Sequence, residues 1–221
     1  MNKVKSYINS LIDDKVITIN IVRFYCIGLL LFAIPYTREL FYILNPFNFI
    51  LATAVIFWKH NQSRTRLAVL FGVIGVSSFI IESIGVNTGK IFGEYIYLHS
   101  LGPKVLNTPL IISLNWFMLI YITAGISDRL VNGKISKVLV GAMIMTGYDL
   151  IVELTAPAMG MWIFNGGMPP LQNYVAWLVL SFIFHAIFRL FKIESEKKMS
   201  EMLYLTQLVF LLIIYILLIL R

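Results

Sequence analysis

Seven runs of about 20 apolar residues, separated by short polar loops, are the feature that most constrains the fold of this chain. An α-helix of about 20 residues is long enough to cross the hydrocarbon core of a bilayer. Apolar residues make up 59% of the chain and charged residues only 13%, which is typical of a membrane protein rather than a soluble domain. The runs lie at roughly 17–36, 39–58, 67–86, 109–127, 137–156, 171–191 and 202–220.

These runs predict helices, because backbone groups in lipid must be hydrogen-bonded within the protein and runs of this length suit helices. We predict an all-α, polytopic transmembrane helical bundle of about seven helices, with residues 1–221 forming a single integral-membrane domain. No small-residue cleavage site follows the first run, so we expect an uncleaved anchor. The single cysteine, Cys26, lies within that run and excludes an internal disulfide or a cysteine metal cluster.

The net charge is +7, and the positions of the Lys and Arg residues indicate how the chain is oriented in the membrane. Thirteen Lys and Arg residues fall in the amino terminus and in the loops after the second, fourth and sixth runs, four fall on the opposite side, and Arg23 lies inside the first run. Cytoplasmic loops carry an excess of basic residues. We therefore predict a cytoplasmic amino terminus and a multi-pass protein of the inner (cytoplasmic) membrane, and the basic charge needs no nucleic-acid partner.

Acidic residues inside the runs are the strongest functional signal. Asp149 and Glu153 are four residues apart, so they share one helical face and should point at the same partner or cavity. Carboxylates at membrane depth are costly and are usually retained for function. At about 1.5 Å per residue, Glu82, Asp149 and Glu153 lie roughly 22, 18 and 24 Å above the cytoplasmic ends of their runs, and Asn115 lies about 9 Å below the outer end of its own. All four fall in the outer half of the bilayer.

Two glycine- and proline-rich loops, 87–108 and 157–170, are predicted on the same outer side, with tight, re-entrant or interfacial structure. The sequence Asn45-Pro46-Phe47-Asn48 predicts an interruption of the second helix at a similar level. Together these features predict a polar pocket that opens toward the outer leaflet and is walled by segments two to five.

Each signal also has a purely structural interpretation. The carboxylates could be hydrogen-bonded residues of a tight bundle, and Asn115 could simply join helices. Carboxylates together with His99 could ligate a metal, but no metal-ligand spacing is present and we predict no metal.

Two sequence blocks resemble the integral-membrane carotenoid hydratase family, which includes bisanhydrobacterioruberin, γ-carotene and lycopene hydratases. The first block covers 82–97 (ESIGVNTGKIFGEYIY) and continues through 101–104, 108–110 and Asn115-Trp116. The second covers 148–153 (YDLIVE), Gly160-Met161-Trp162 and 170–174. The resemblance spans roughly 70–185. Leu154 stands where the family usually has proline, and Tyr148 stands at a position where we expect tryptophan.

The resemblance implies an enzyme of carotenoid biosynthesis that adds water to the terminal C1=C2 bond of an acyclic carotenoid end, without a cofactor. Its substrate partner would be an acyclic or monocyclic carotenoid in the lipid bilayer, and other carotenoid-pathway enzymes are candidate partners. The implied catalytic residues are Asp149, Glu153 and Glu82, with donor and water-orienting base unassigned. The implied substrate-binding residues are Asn115, Trp116, Tyr148, Tyr95, Tyr97, Trp162 and Asn173.

The chemistry fits a buried acid pair. A carboxylic acid in low dielectric favours its neutral form and can protonate C2, which leaves a tertiary cation at C1 for water to capture. Aromatic faces of Trp116, Tyr148, Tyr95 and Trp162 could stabilise that cation. A membrane lycopene cyclase would begin with the same protonation, and a small transporter or accessory subunit would also fit seven helices with intramembrane acids.

Overall fold

The computed structural model of the chain describes residues 14–220. The predictions that concern residues 1–13 and Arg221, among them the placement of Lys3, Lys5 and Arg221 relative to the membrane, lie outside the described residues. The helices are α1 (Asp14–Ala33), α2 (Arg38–Lys59), α3 (Arg64–Thr88), α4 (Ile112–Leu130), α5 (Lys134–Glu153), α6 (Leu171–Leu190) and α7 (Lys197–Ile219).

The predicted helical bundle is confirmed, with one helix for each apolar run within residues 14–220. Six of these helices are long and apolar enough to cross a membrane, and α4 is outside that set. Helix α4 contacts α2, α3, α5, α6 and α7, and thirteen of its nineteen residues are buried. Neighbouring helices shield it from lipid, so it can carry more polar residues than a lipid-facing helix. The chain is thus a multi-pass membrane protein built around α4.

Local chemistry fixes several helix ends. The Ser63 side chain accepts a hydrogen bond from the Arg66 backbone N–H and caps α3. Gly89 ends that helix with φ of +65°, a left-handed conformation that glycine adopts without strain. The Glu196 carboxylate accepts a hydrogen bond from the Met199 backbone N–H at 2.6 Å and caps α7.

The predicted interruption of the second helix is wrong. Helix α2 runs continuously through Asn45, Pro46 and Asn48. Proline removes one backbone donor, but the rest of the helical turn is retained. The loop 87–108 packs against Pro46, because a Cβ built on Gly102 would lie 3.5 Å from Pro46 Cγ. The two asparagines therefore project from a regular helix.

The loops 87–108 and 157–170, called the outer loops after their predicted side, are joined by a short antiparallel pairing that the sequence did not indicate. Strand β1 (Tyr95–Tyr97) pairs with β4 (Trp162–Phe164), and β2 (Lys104–Val105) pairs with β3 (Thr108–Pro109). Because side chains alternate along a strand, β1 and β4 each bury their first and third residues and expose the middle one. The β1–β4 pair therefore directs four aromatic rings into the bundle.

The opposite end of the bundle is held by charge pairs. Asp128 of α4 accepts hydrogen bonds from Arg189 of α6 at 2.9 Å, and Lys137 of α5 lies 2.9 Å from the same carboxylate. Arg189 also donates to the Ser127 hydroxyl at 2.9 Å. These contacts tie the ends of three helices at the face where the basic loops meet.

Candidate active site

Glu82 of α3 is buried, and its carboxylate accepts three hydrogen bonds. The hydroxyls of Tyr95 and Tyr97 donate to Oε2 at 2.7 and 2.8 Å, and the indole Nε1 of Trp116 donates to Oε1 at 2.9 Å. The alternation along β1 directs both tyrosines at the same carboxylate. Burial and then the Glu82 carboxylate raise the pKa of both tyrosines, so both hydroxyls stay protonated and act as donors.

Glu153, the last residue of α5, is held by a second pair of donors. Trp162 Nε1 donates to Oε2 at 2.9 Å, and Asn173 Nδ2 of α6 donates to Oε1 at 2.9 Å. Trp162 lies on β4 directly opposite Tyr97, so the strand pairing places donors for Glu82 and Glu153 side by side. Both glutamates are therefore acceptors in one network that connects the outer loops to α3, α4, α5 and α6.

Asp149 differs from both glutamates. It is only 1% exposed, and its Oδ2 has no hydrogen-bond partner. Leaving a buried polar atom without a partner costs about 1–3 kcal/mol, so such an atom in a native structure calls for an explanation. A neutral carboxyl group is far less costly here than an ionised one.

Two adjoining cavities contain the carboxylates. The first, the Asp149 cavity, has a volume of about 30 Å³, enough for one or two water molecules. The second, the glutamate cavity, has a volume of about 20 Å³ and is lined by Glu82 and Glu153. Asn115, Trp162 and Trp177 line both cavities and separate them. The prediction that Asp149 and Glu153 point at a single cavity is therefore wrong, because they line neighbouring ones.

The predicted wall of segments two to five is also wrong in part. Helix α3 contributes Glu82 only to the glutamate cavity, whereas the Asp149 cavity is enclosed by residues of α1, α2, α4, α5, α6 and α7. The residues from helices that the prediction left out are Tyr25 of α1, Trp177 of α6, and Gln207, Phe210 and Leu211 of α7.

All ten predicted site residues lie at these two cavities or donate to their carboxylates. Asn115 lines both cavities, and its side chain makes no hydrogen bond to residues 14–220. Tyr148 lines the Asp149 cavity and donates to Gln207 Oε1 at 3.1 Å. Trp116 stacks on Trp177 with ring centroids 4.3 Å apart. The placement brings the predicted set together but leaves each residue's role a prediction.

Several polar or aromatic residues of the site were missed from sequence, among them Trp177, which lines both cavities. Asn45 and Asn48 were noted only as helix breakers, yet both side chains line the Asp149 cavity. Gln207 is a lone amide in the last apolar run, and Tyr25 lies in the first. A polar side chain inside an apolar run was the available signal for Asn45, Asn48 and Gln207.

The donor set gives no indication of a metal centre. Within residues 14–220, no group of three or more His, Cys, Asp or Glu side chains is placed to hold a metal ion. His99, the histidine considered as a ligand, instead packs edge-on against Tyr42, with ring centroids 4.8 Å apart.

Comparison with known proteins places this geometry in a family. The sequence profile of the family described as carotenoid biosynthesis protein matches residues 43–221, which include all three carboxylates. The chain belongs to this family. A curated relative, the bisanhydrobacterioruberin hydratase of Haloarcula japonica, is 30% identical over 131 residues, covering 52% of this chain and 42% of the relative. The match thus spans less than half of that hydratase. No solved structure gives a significant match to the chain.

Proposed function

We propose that the protein adds water to the terminal C1=C2 double bond of an acyclic carotenoid end, with Asp149 as the proton donor. The observation that carries the proposal is the buried Asp149 carboxyl, which has an unpartnered oxygen and faces a cavity of water size. Membership of the carotenoid biosynthesis family and the match to a hydratase support this substrate and reaction class.

The hydrogen bonding supports a division of roles. Burial favours the neutral form of all three carboxyl groups, but Glu82 and Glu153 accept five hydrogen bonds from Tyr, Trp and Asn donors, which oppose this effect. Asp149 Oδ2 receives none, so burial favours its neutral, proton-carrying form. Asp149 is accordingly the general acid, while the two glutamates hold the aromatic wall in place.

The proposed reaction needs only these residues and water. The π electrons of C1=C2 take the Asp149 proton to form a C2–H bond, leaving a tertiary cation at C1. The oxygen of a cavity water then bonds to C1, and the surplus proton passes to the Asp149 carboxylate, which restores the acid. The rings of Trp162, Trp177 and Tyr148 line the cavity and can stabilise the cation through their π faces.

Asn115 is placed to position the water. Its amide lies between the two cavities, and neither its –NH₂ donor nor its C=O acceptor makes a hydrogen bond within residues 14–220. The Asp149 cavity is large enough for one or two waters and has the amides of Asn45, Asn48, Asn115 and Gln207 in its lining. This supports hydration over cyclisation, because a cyclase must keep water away from the same cation.

The test is pigment analysis in a host that makes acyclic carotenoids, followed by labelling of isolated membranes. Expression should add one or two water masses to the carotenoid, and anaerobic incubation in ¹⁸O-labelled water should place the label in the tertiary alcohol. An isomer of unchanged mass would indicate cyclisation. Dependence on molecular oxygen or on reduced nicotinamide would contradict acid-catalysed hydration.

A further inference from the structure

A third cavity, lined mostly by apolar side chains, lies between α1 and α2, next to the Asp149 cavity. This α1–α2 groove has a volume of about 50 Å³ and is lined by Phe24, Gly28, Leu31, Leu44, Asn45 and Asn48, among others. Asn45 and Asn48 also line the Asp149 cavity. The groove and the cavity therefore meet at these two amides of α2.

The boundary between the groove and the cavity consists of side chains. The Tyr25 hydroxyl donates to Asn48 Oδ1, and the Tyr25 ring packs edge-on against Phe210 with centroids 5.2 Å apart. Asn45 Nδ2 donates to the Ser100 hydroxyl over a long 3.3 Å. Rotamer changes of two or three side chains, without backbone movement, would therefore join the groove to the cavity.

The outer edge of the groove faces lipid. Ile27 of α1 is 55% exposed and Leu44 of α2 is 36% exposed, and both lie on helices that are apolar enough to span a membrane. The glutamate cavity offers no comparable route, because it is lined by two carboxylates and closed on the outer side by β1 and β4. Of the groove and the glutamate cavity, the groove is the one that gives a polyene dissolved in the bilayer an apolar approach.

We infer that the α1–α2 groove is the lateral entrance through which the polyene chain of an acyclic carotenoid passes from the bilayer to Asp149. The inference rests on the proposed function and adds a route and a binding site to it. A cavity of about 30 Å³ holds water but not an isoprenoid end, so Tyr25 and Asn48 must separate when the end group enters. The rest of the conjugated chain lies in the groove and the surrounding lipid.

Gly28 keeps the entrance open. A Cβ built at this position would lie 3.3 Å from Phe210 Cε2, so any larger side chain fills the groove or displaces a ring of the Asp149 cavity. Gly72 of α3 is the matched control, because it is an exposed glycine of another apolar helix and a Cβ there meets nothing within 4 Å.

The first experiment compares conversion of lycopene by Gly28→Leu and Gly72→Leu at equal amounts of protein in the membrane. Gly28→Leu should lower the rate by about tenfold, because overpacking blocks the groove. Gly72→Leu should stay within about twofold of the parent. Gly28→Ala should give a smaller loss of rate. If Gly28→Leu does not accumulate in the membrane, the rate of Gly28→Ala relative to the position-72 variant tests the entrance. Equal rates for the position-28 and position-72 variants would overturn the entrance.

The second experiment measures binding without chemistry. A fluorophore is attached at Leu44→Cys or, as control, at the exposed position Val76→Cys of α3, both in a Cys26→Ser background, and lycopene is added to the reconstituted protein. Stronger quenching at position 44 than at position 76 is expected, and equal quenching would overturn the entrance. Selective quenching without alcohol formation would overturn hydration and leave the entrance standing. Alcohol formation with equal quenching at the two positions would overturn the entrance and leave hydration standing.

Discussion

At the scale of single residues, the three buried carboxylates differ in how they are hydrogen-bonded. Glu82 accepts three hydrogen bonds and Glu153 accepts two, whereas Asp149 Oδ2 accepts none. A carboxylate that organises several donors cannot be replaced without leaving some of them unpaired. A carboxyl oxygen with no partner can be replaced at little structural cost. The proposed acid and its supporting residues should therefore be separable by mutation.

Asp149→Asn should abolish hydration while leaving the folded protein nearly intact. The amide keeps the size of the carboxyl group but cannot supply the proton, and general acid catalysis contributes roughly 100- to 10,000-fold. We expect a loss of at least about 100-fold in tertiary alcohol formed per immunodetected protein in the membrane. Activity within a few-fold of the parent would remove Asp149 from the proposed catalytic role.

Glu82→Gln should be destabilising as well as inactive. Its amide –NH₂ would face N–H or O–H donors where a carboxylate oxygen accepted them, at a cost of about 1–3 kcal/mol. Thermal unfolding in detergent should show a lower midpoint than the parent. Glu94→Gln is the control, because Glu94 is exposed and takes one side-chain hydrogen bond, from Asn165. Equal midpoints for the two variants would contradict a structural role for the Glu82 network.

At the scale of elements, the β1–β4 pair connects the loops 87–108 and 157–170 to the carboxylates. Its register sets Tyr95 opposite Phe164 and Tyr97 opposite Trp162, so that one face of the pair carries donors for both glutamates. The sequence did not predict this pairing, because three-residue strands between glycines carry too little alternation to detect. The partners are also far apart along the chain, and only the folded bundle brings them together.

Gly93, just before β1, offers a test of this element. Its φ of +94° disfavours a side chain, and a Cβ there would lie 2.5 Å from Pro170 Cγ. Gly166, just after β4, has a similar φ of +85° but nothing within 4 Å. Both alanine variants carry backbone strain, and Gly93→Ala adds a clash. The unfolding midpoint of Gly93→Ala should lie about 4 °C or more below that of Gly166→Ala, and Gly93→Ala should lose more activity. Equal midpoints would mean that the contact with Pro170 is unimportant.

At the scale of the whole molecule, hydropathy predicted the helices but not their arrangement. Run length and composition sufficed for seven helices, and the cost of carboxylates in lipid directed attention to Glu82, Asp149 and Glu153. Which helix lies at the centre depends on lateral packing, and α4 became central with no strong periodic signal in its sequence. Helix propensity likewise failed at Pro46, because packing in a bundle can retain a helix that proline weakens.

The sequence identified single polar residues in apolar runs, but it did not show which of them line the same cavity. A lone amide such as Gln207 in an apolar run indicates that it has a buried partner but not which one. In the folded chain the Tyr148 hydroxyl donates to Gln207 Oε1, and Gln207 Nε2 donates to Met118 Sδ. Tyr25 gave no signal, since aromatic residues are common in membrane helices. Contacts between the first, second and last helices of a bundle were therefore beyond a single sequence.

The orientation of the whole molecule in the membrane yields the last prediction. Asp128, Lys137 and Arg189 meet at one end of the bundle, and the Glu82 network lies toward the other, so the basic loops and the carboxylates belong to opposite halves. Thirteen basic residues against four predict that the basic end is cytoplasmic. Reporter fusions after Lys134 and Lys192 should therefore be cytoplasmic, and those after Lys104 and Gly166 should be on the outer side. A fluorescent protein and a secreted phosphatase at each position would give opposite signals and so control for expression. The reverse pattern would place the carboxylates in the cytoplasmic half of the bilayer and contradict the predicted topology.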